Sequence, residues 1–147
     1  MGAIRAGCRT CLGTVQFLLP VVHATWYVLK TLGYRRNMEY GKSAGFYDGK
    51  NTDFWISEGK TVVPTHLAFQ ASNRKKVEAF HKAAISAGAK DNGAPGYRDY
   101  SPGYFAAFVI DRDGNNIEAV WYDPARESKA RSRKSAKGTR AKRKSKR

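Results

Sequence analysis

Apolar and polar positions in the second half of the chain predict a strand, a helix and two further strands. Thr65–Gln70 alternates with the period of a strand, and Tyr104–Ile110 and Asn116–Tyr122 form two longer strands. Between them Arg74–Ala87 has the period of a helix, with one apolar stripe made of Val77, Phe80, Ala84 and Ile85. The pattern therefore predicts a strand–helix–strand–strand order.

Short polar segments mark the ends of these elements. Ser72 or Asn73 is placed to cap the N-terminus of the helix. Asp111–Asn115 is a hairpin turn, in which Gly114 is free to adopt a positive φ. Asp91–Gly96 is rich in glycine, and we expect a loop there.

The first half repeats this order of elements. A short apolar run, Val15–Leu19, precedes a helical stretch, His23–Leu32, which Gly33 is suited to end. Three short strands follow, at Tyr34–Tyr40, Ala44–Tyr47 and Asp53–Ser57. Each half therefore has a strand, a helix and further strands, which indicates a structural duplication within an α+β fold.

Charge divides the chain into a body and a basic tail. The chain has 147 residues and a net charge of +15, and residues 126–147 hold 12 of its 27 basic residues but one of its 12 acidic residues. The tail thus carries +11, which leaves +4 for a body long enough to bury one core. Because residues 125–147 lack large apolar side chains, we expect them to be disordered. Residues 126–147 would attract nucleic acid without sequence preference, or would only aid solubility.

The N-terminal segment, residues 1–24, has two interpretations. Two arginines precede the apolar run Leu12–Val22, as they do in a signal or transit peptide. Pro20 and Gln16 interrupt that run, so we favour an atypical first strand of the body.

Cysteine content and hydropathy exclude two classes of protein. The chain has two cysteines, which rules out a disulfide-rich secreted scaffold. Cys8 and Cys11 have the spacing of a redox or zinc pair, but no second pair accompanies them, so we interpret them as ordinary thiols. No run of 18 apolar residues predicts a membrane span. We expect a cytoplasmic protein without membrane association.

Six short segments of the chain match, in order, the motifs of one known protein family. They are Leu32–Arg36 and Asp53–Ser57 in the first half, and Thr65–Phe69, Val77–Ala84, Asp91–Gly96 and Ala107–Val120 in the second. Over about residues 25–123 they resemble the vicinal oxygen chelate superfamily of glyoxalases, bleomycin-resistance proteins and extradiol dioxygenases, and in particular its glyoxalase-like subgroup. The resemblance implies two βαβββ modules that curl around a shared cavity, within a domain of residues 25–124, and a homodimer.

The resemblance also implies a divalent metal ion (zinc, iron, manganese or nickel), with ligands on the first and last strands of a module. His66 and Glu118 match two of these ligand positions. The strand period places His66 on one face with Ala68 and Gln70. Glu118 should lie beside Phe108 across the hairpin, with Tyr104 on the same face. One imidazole and one carboxylate are two-thirds of a facial triad.

The rest of the implied metal centre departs from the family pattern. No histidine stands at the position expected for the first strand of module one, where Gln16 is the nearest polar residue and His23 falls in the helix. A fourth ligand position falls near Trp55, with Asp53 and Ser57 as weak substitutes. We therefore expect weak metal binding.

Two classes of function compete for this site. In the first, a metal held by His66 and Glu118 polarises vicinal oxygens of a substrate in a lyase or isomerase reaction, or, less in keeping with the missing histidine, a dioxygenase reaction. Without a metal, Glu118 would be the catalytic general base. In the second, the protein sequesters a small molecule in an aromatic pocket. The predicted contacts to substrate or ligand are Trp55, Asn92, Tyr100, Tyr104 and Phe108.

Overall fold

The computed structural model describes residues 4–5, 11–15, 25–61 and 63–132, with side chains from residue 25 onward. The described residues form two sheets. The first sheet consists of β2 (Cys11–Val15), β3 (Arg35–Tyr40), β4 (Ser43–Tyr47) and β5 (Thr52–Glu58). The second consists of β1 (Ile4–Arg5), β6 (His66–Gln70), β7 (Lys90–Tyr97), β8 (Tyr104–Ile110) and β9 (Asn116–Tyr122).

Helices connect and flank these strands. Residues 25–29 (α1) are helical and continue into a 3₁₀ turn, Lys30–Leu32. Helix α2 spans Arg74–Ser86, and residues 124–132 (α3) are also helical. None of the described helices is long and apolar enough to cross a membrane.

The two halves share one topology, which confirms the predicted pair of βαβββ modules. The strand order is β2-β5-β4-β3 in the first module and β6-β9-β8-β7 in the second. In both, the first strand pairs parallel with the last, and the remaining pairs are antiparallel. The short strand β1 adds to the free side of β6, a pairing that the sequence pattern does not predict.

Helix α2 covers one face of the second sheet. Its apolar stripe, with Val77, Phe80 and Ala84 buried, packs against alternate residues of β8 and β9. These are Phe105, Ala107, Val109 and Ala119. The intervening residues therefore point to the opposite side, which we call the inner face. A separate apolar cluster of Ala106, Phe108 and Val120, with Tyr104 and Tyr122 packed against it, lies there.

The ends of these elements follow the predicted chemistry. Gly33 has φ 104° and ends the 3₁₀ turn. Asn73 rather than Ser72 caps α2, since its Oδ1 accepts the backbone N–H of Lys76 at 3.0 Å. In the hairpin turn, Asp111 Oδ1 accepts the backbone N–H of Asn115 at 2.8 Å.

The predicted loop at Asp91–Gly96 is wrong, because these residues belong to strand β7. The strand pairs with β8 through two register shifts, one on each side of Gly93. A Cβ at Gly93, where φ is 148°, would lie 3.1 Å from Phe108 Cδ2. Glycine at position 93 is therefore favoured by its positive φ and by the closeness of the Phe108 ring, although it lies in a strand.

At the two ends, the structure differs from the predicted boundaries. The first strand of module one was predicted at Val15–Leu19, whereas the described strand is β2, and residues 16–24 lie outside the described residues. Residues 124–132 are helical, although the composition predicts disorder from residue 125. Asp123 begins this helix, because its Oδ1 accepts the N–H of Ala125 at 2.9 Å. Residues 133–147 also lie outside the described part, so their attraction to nucleic acid stays a prediction.

Candidate functional site

The centre of the inner face is a buried carboxylate. Glu118, on β9, is 1% exposed, and register pairs it with Ala68 of β6 and Phe108 of β8. The hydroxyl of Tyr104 donates to its Oε1, and His66 Nε2 lies 3.0 Å from its Oε2. An ionised carboxylate only accepts hydrogen bonds, so beside ionised Glu118 His66 donates its Nε2–H. Both oxygens of this buried group are thereby satisfied, which offsets part of its desolvation cost.

The sequence thus predicts correctly that His66 and Glu118 share a face, since their side chains meet there. The sequence also predicts that Tyr104 contacts the substrate or ligand. In the structure, its hydroxyl donates a hydrogen bond to Glu118. Glu118 as a general base would first have to give up one of these two hydrogen bonds.

Aromatic rings extend from this centre. The rings of His66 and Phe108 are 6.2 Å apart. Tyr104 makes edge-to-face contacts at 5.3 Å with both Tyr122 and Tyr100. Tyr100 is 71% exposed and forms the rim. The inner face therefore changes from a buried polar centre to an exposed aromatic edge.

The other two predicted ligand contacts lie farther out. Asn92, on the edge strand β7, donates its Nδ2–H to Asn116 Oδ1 at 3.2 Å, and Asn116 is the register partner of His66. Trp55 is on the first sheet, where its ring covers Gly45; a Cβ at Gly45 would lie 3.0 Å from it. No hydrogen bond, ion pair or ring contact among the described residues joins Trp55 to the His66–Glu118 pair.

The residues near Trp55 do not replace a metal ligand. The hydroxyls of Ser57 and Ser43 are bonded to each other at 2.7 Å. Asp53 is buried, and burial raises its pKa; repulsion from Asp48 adds to this effect, while a hydrogen bond from Tyr34 opposes it. Asp53 Oδ1 has no partner among the described residues.

The donor set does not complete a metal centre within the described part of the chain. The 3.0 Å between His66 Nε2 and Glu118 Oε2 suits two ligands of one ion as well as it suits a hydrogen bond. However, Tyr104 occupies the second carboxylate oxygen, and no group of three histidine, cysteine, aspartate or glutamate side chains exists among the described residues. Catalytic zinc sites use three protein ligands. Gln16 and His23 lie outside the described residues.

A charged residue beside the inner face, Arg98, is absent from the sequence-based predictions. Arg98, directly after β7, places its guanidinium 5.5 Å from the centre of the Phe108 ring. In the sequence, Arg98 closely follows the glycine-rich segment that holds Gly93 and Gly96, and in the structure its guanidinium lies beside both.

Solved structures share this fold. No protein-family model and no curated protein matches the chain. A glyoxalase/bleomycin resistance protein from Albidiferax ferrireducens T118 is 24% identical, with a TM-score of 0.69 over 78% of this chain and 97% of that one. A glyoxalase/bleomycin resistance protein/dioxygenase family enzyme from Burkholderia phytofirmans PsJN is 15% identical, with a TM-score of 0.62 over 78% and 98%.

These similarities show that the chain has the fold that the sequence motifs predict, with two βαβββ modules. They do not establish a reaction, because one fold carries many chemistries.

Proposed function

We propose that this protein binds a small molecule on the inner face of its second sheet. The observation that carries the proposal is Glu118, which is fully buried, bonded to His66 and Tyr104, and set among aromatic rings. A buried charged group adds little net stability compared with well-packed apolar residues of the same volume. Apolar walls with a few converging polar groups are typical of ligand sites.

The chemistry of the site suits recognition better than free acid–base catalysis. Aromatic side chains supply apolar contact area, and Tyr104 and His66 hold Glu118 in one position. The side chain of His66 is 32% exposed, so a ligand reaches this polar group from solvent.

The test compares two phenylalanines on opposite faces of β8. Phe108 faces inward and Phe105 packs under α2. We expect a panel of small planar aromatic compounds, titrated into the full chain and followed by NMR, to include binders. Phe108→Leu should weaken their binding about tenfold, whereas Phe105→Leu should lower stability and leave the affinity of the folded protein unchanged.

Two results would contradict the proposal. One is that no planar compound in the panel binds. The other is equal loss of affinity in both variants, which would place the ligand elsewhere or make its binding depend only on overall stability.

Weak metal binding is the second candidate, because His66 Nε2 and Glu118 Oε2 stand 3.0 Å apart. A lyase or isomerase reaction would require a metal ion held by these two residues. A dioxygenase reaction would require a second histidine ligand in addition. With two protein donors we expect the purified protein to lose metal on dialysis, as elemental analysis would record. Stoichiometric metal that survives dialysis and disappears in His66→Ala would show instead that a further ligand, such as Gln16 or His23, reaches the site.

The homodimer and the cytoplasmic location implied at the sequence level remain proposals. Sedimentation of the full chain would test the first.

A further inference from the structure

The guanidinium of Arg98 lies beside two glycines of the edge strand β7. A Cβ at Gly96 would lie 2.7 Å from Arg98 Nη1, and a Cβ at Gly93 would lie 3.2 Å from Nη2. A side chain at Gly96 would require the guanidinium to move, and one at Gly93 would crowd it. Two backbone carbonyls then hold it, since Nη2 donates to Ala94 O at 2.7 Å and Nη1 to Tyr97 O at 3.4 Å.

This position joins Arg98 to the proposed binding site. Gly93 is the register partner of Phe108, and Phe108 is the register partner of Glu118. The guanidinium carbon of Arg98 lies 5.5 Å from the centre of the Phe108 ring, and the centre of the His66 imidazole lies 6.2 Å from it. An arginine and a histidine therefore stand around one aromatic ring.

Arg98 keeps hydrogen-bonding capacity that the protein does not use. A guanidinium has five N–H donors, and backbone carbonyls take two of them. Arg98 forms no ion pair with a carboxylate of the described residues. Asp91, the acid nearest along β7, is instead bonded to His81 at 2.8 Å and to the N–H of Gly93.

The carboxylate of Glu118 is, by contrast, shielded from a ligand, because this residue is 1% exposed. Each of its oxygens already accepts one hydrogen bond, from Tyr104 or from His66, and burial keeps a ligand cation from the remaining acceptor positions. The group with open capacity on this face is cationic, planar and fixed in position, which matches the geometry of a carboxylate.

We propose that Arg98 is the anion-recognising residue of the inner-face site, and that the ligand is a small aromatic or apolar carboxylic acid. Its apolar part packs against the aromatic side chains, and its carboxylate binds the guanidinium. This inference rests on the proposed function and adds the chemical class of the ligand.

Three naphthalene probes of nearly equal shape test the charge preference. They are 2-naphthoate, the neutral 2-naphthamide and the cationic 2-naphthylmethylamine, each titrated into the full chain by NMR. A high salt concentration suppresses non-specific attraction to the basic tail. We expect 2-naphthoate to bind at least about tenfold more tightly than 2-naphthamide, and the amine to bind most weakly.

Two arginine variants locate the preference. Arg98→Gln should abolish the advantage of 2-naphthoate and leave the affinity for 2-naphthamide unchanged. Arg36→Gln is the matched control, because Arg36 is paired with the core residue Phe46 on the other sheet and should keep the full preference. If Arg98→Gln fails to fold, Arg98→Lys keeps the charge without the planar fork, and should reduce the advantage.

The outcomes separate this inference from the proposal beneath it. Equal affinity for the three probes, or a preference for the amine, overturns the assignment of Arg98 while the binding site stands. A preference that persists in Arg98→Gln or is unchanged in Arg98→Lys overturns it as well. Failure of all three probes to bind overturns both the inference and the proposed binding site.

Discussion

At the scale of single residues, Glu118 shows how a charged group is accommodated in an apolar face. It is buried because it lies in the middle of β9, between Ala68 and Phe108 on the neighbouring strands. The hydroxyl of Tyr104 and the imidazole of His66 replace the water that this carboxylate loses. Removal of either partner leaves a buried acceptor without a donor.

Tyr104→Phe tests this dependence. The variant keeps the aromatic ring and loses the hydroxyl that donates to Glu118. We expect the free energy of unfolding, measured with urea, to fall by about 1–3 kcal/mol, the usual cost of an unsatisfied buried group. Tyr40→Phe is the control, because Tyr40 is 82% exposed and its change should have no measurable effect. Equal stability of Tyr104→Phe and the wild type would contradict the role assigned to the hydroxyl.

The buried Asp53 should make the free energy of unfolding depend on pH in the opposite direction from an acid that is paired with a cation. Burial raises its pKa above the usual 3.8, so the folded protein keeps this proton at pH values where the unfolded chain has lost it. The contribution of Asp53 to the free energy of unfolding therefore declines as the pH rises from 3.8 through the raised pKa.

Asp53→Asn removes this titration. We expect the variant to gain stability relative to the wild type as the pH rises from about 3 to 7, because the other acids are common to both proteins. Urea unfolding at several pH values gives the difference directly. A difference that stays constant across that range would show that Asp53 titrates as an ordinary exposed acid.

At the scale of elements, helix α3 depends on a few contacts to the second sheet. Asp123 begins the helix, and its Oδ2 accepts the hydroxyl of Tyr97 at 2.7 Å. The guanidinium of Arg126 covers the Tyr97 ring at 3.6 Å. A segment with no large apolar side chain is thus attached by a cap, a hydrogen bond and a cation–π contact.

Asp123→Ala should release this helix and leave the domain folded. The substitution removes the cap and the acceptor of Tyr97, and a lost cap costs about 0.5–2 kcal/mol. We expect hydrogen exchange to lose protection over residues 125–132 and to keep it in β8 and β9. Asp99→Ala, in the exposed turn after β7, is the control and should keep protection at 125–132. Retained protection in Asp123→Ala would mean that other contacts hold the helix.

At the scale of the whole molecule, a shared apolar cluster joins the two modules, and Phe69 is its central contact. Phe69 of β6 contacts Tyr34 at 5.6 Å and Phe54 of β5 at 5.1 Å, both edge to face. Leu67 belongs to the same cluster, whose other buried members come from the first module, and Ile117 of β9 packs against it. The second module therefore contributes its first strand to the core of the first, and we expect the two to unfold together.

Phe69→Ala tests this coupling. The cavity should lower the free energy of unfolding by about 3–5 kcal/mol, with a single urea transition reported by both circular dichroism and tryptophan fluorescence. Ile85→Ala, at a partly exposed position of α2, should cost much less. Two separate transitions in the wild type would show that the modules are independent.

The sequence by itself determined the elements and the faces of the strands. The observed β8 and β9 have the predicted bounds, α2 ends within a residue of its prediction, and His66 and Glu118 share the predicted face. These features depend on periodicity and local capping, which neighbouring residues settle.

Only the tertiary structure decided what lies far apart along the chain or depends on a partner strand. Gly93 and Gly96 have the pattern of loop residues, and only the pairing of β7 with β8 shows that they are strand residues with the guanidinium of Arg98 beside them. Tyr104 has the pattern of a ligand contact until the packed sheet brings its hydroxyl to Glu118. Which groups form hydrogen bonds, and which donors stay open, depends on which residues lie close together in the folded chain. Hydrophobic periodicity does not specify this.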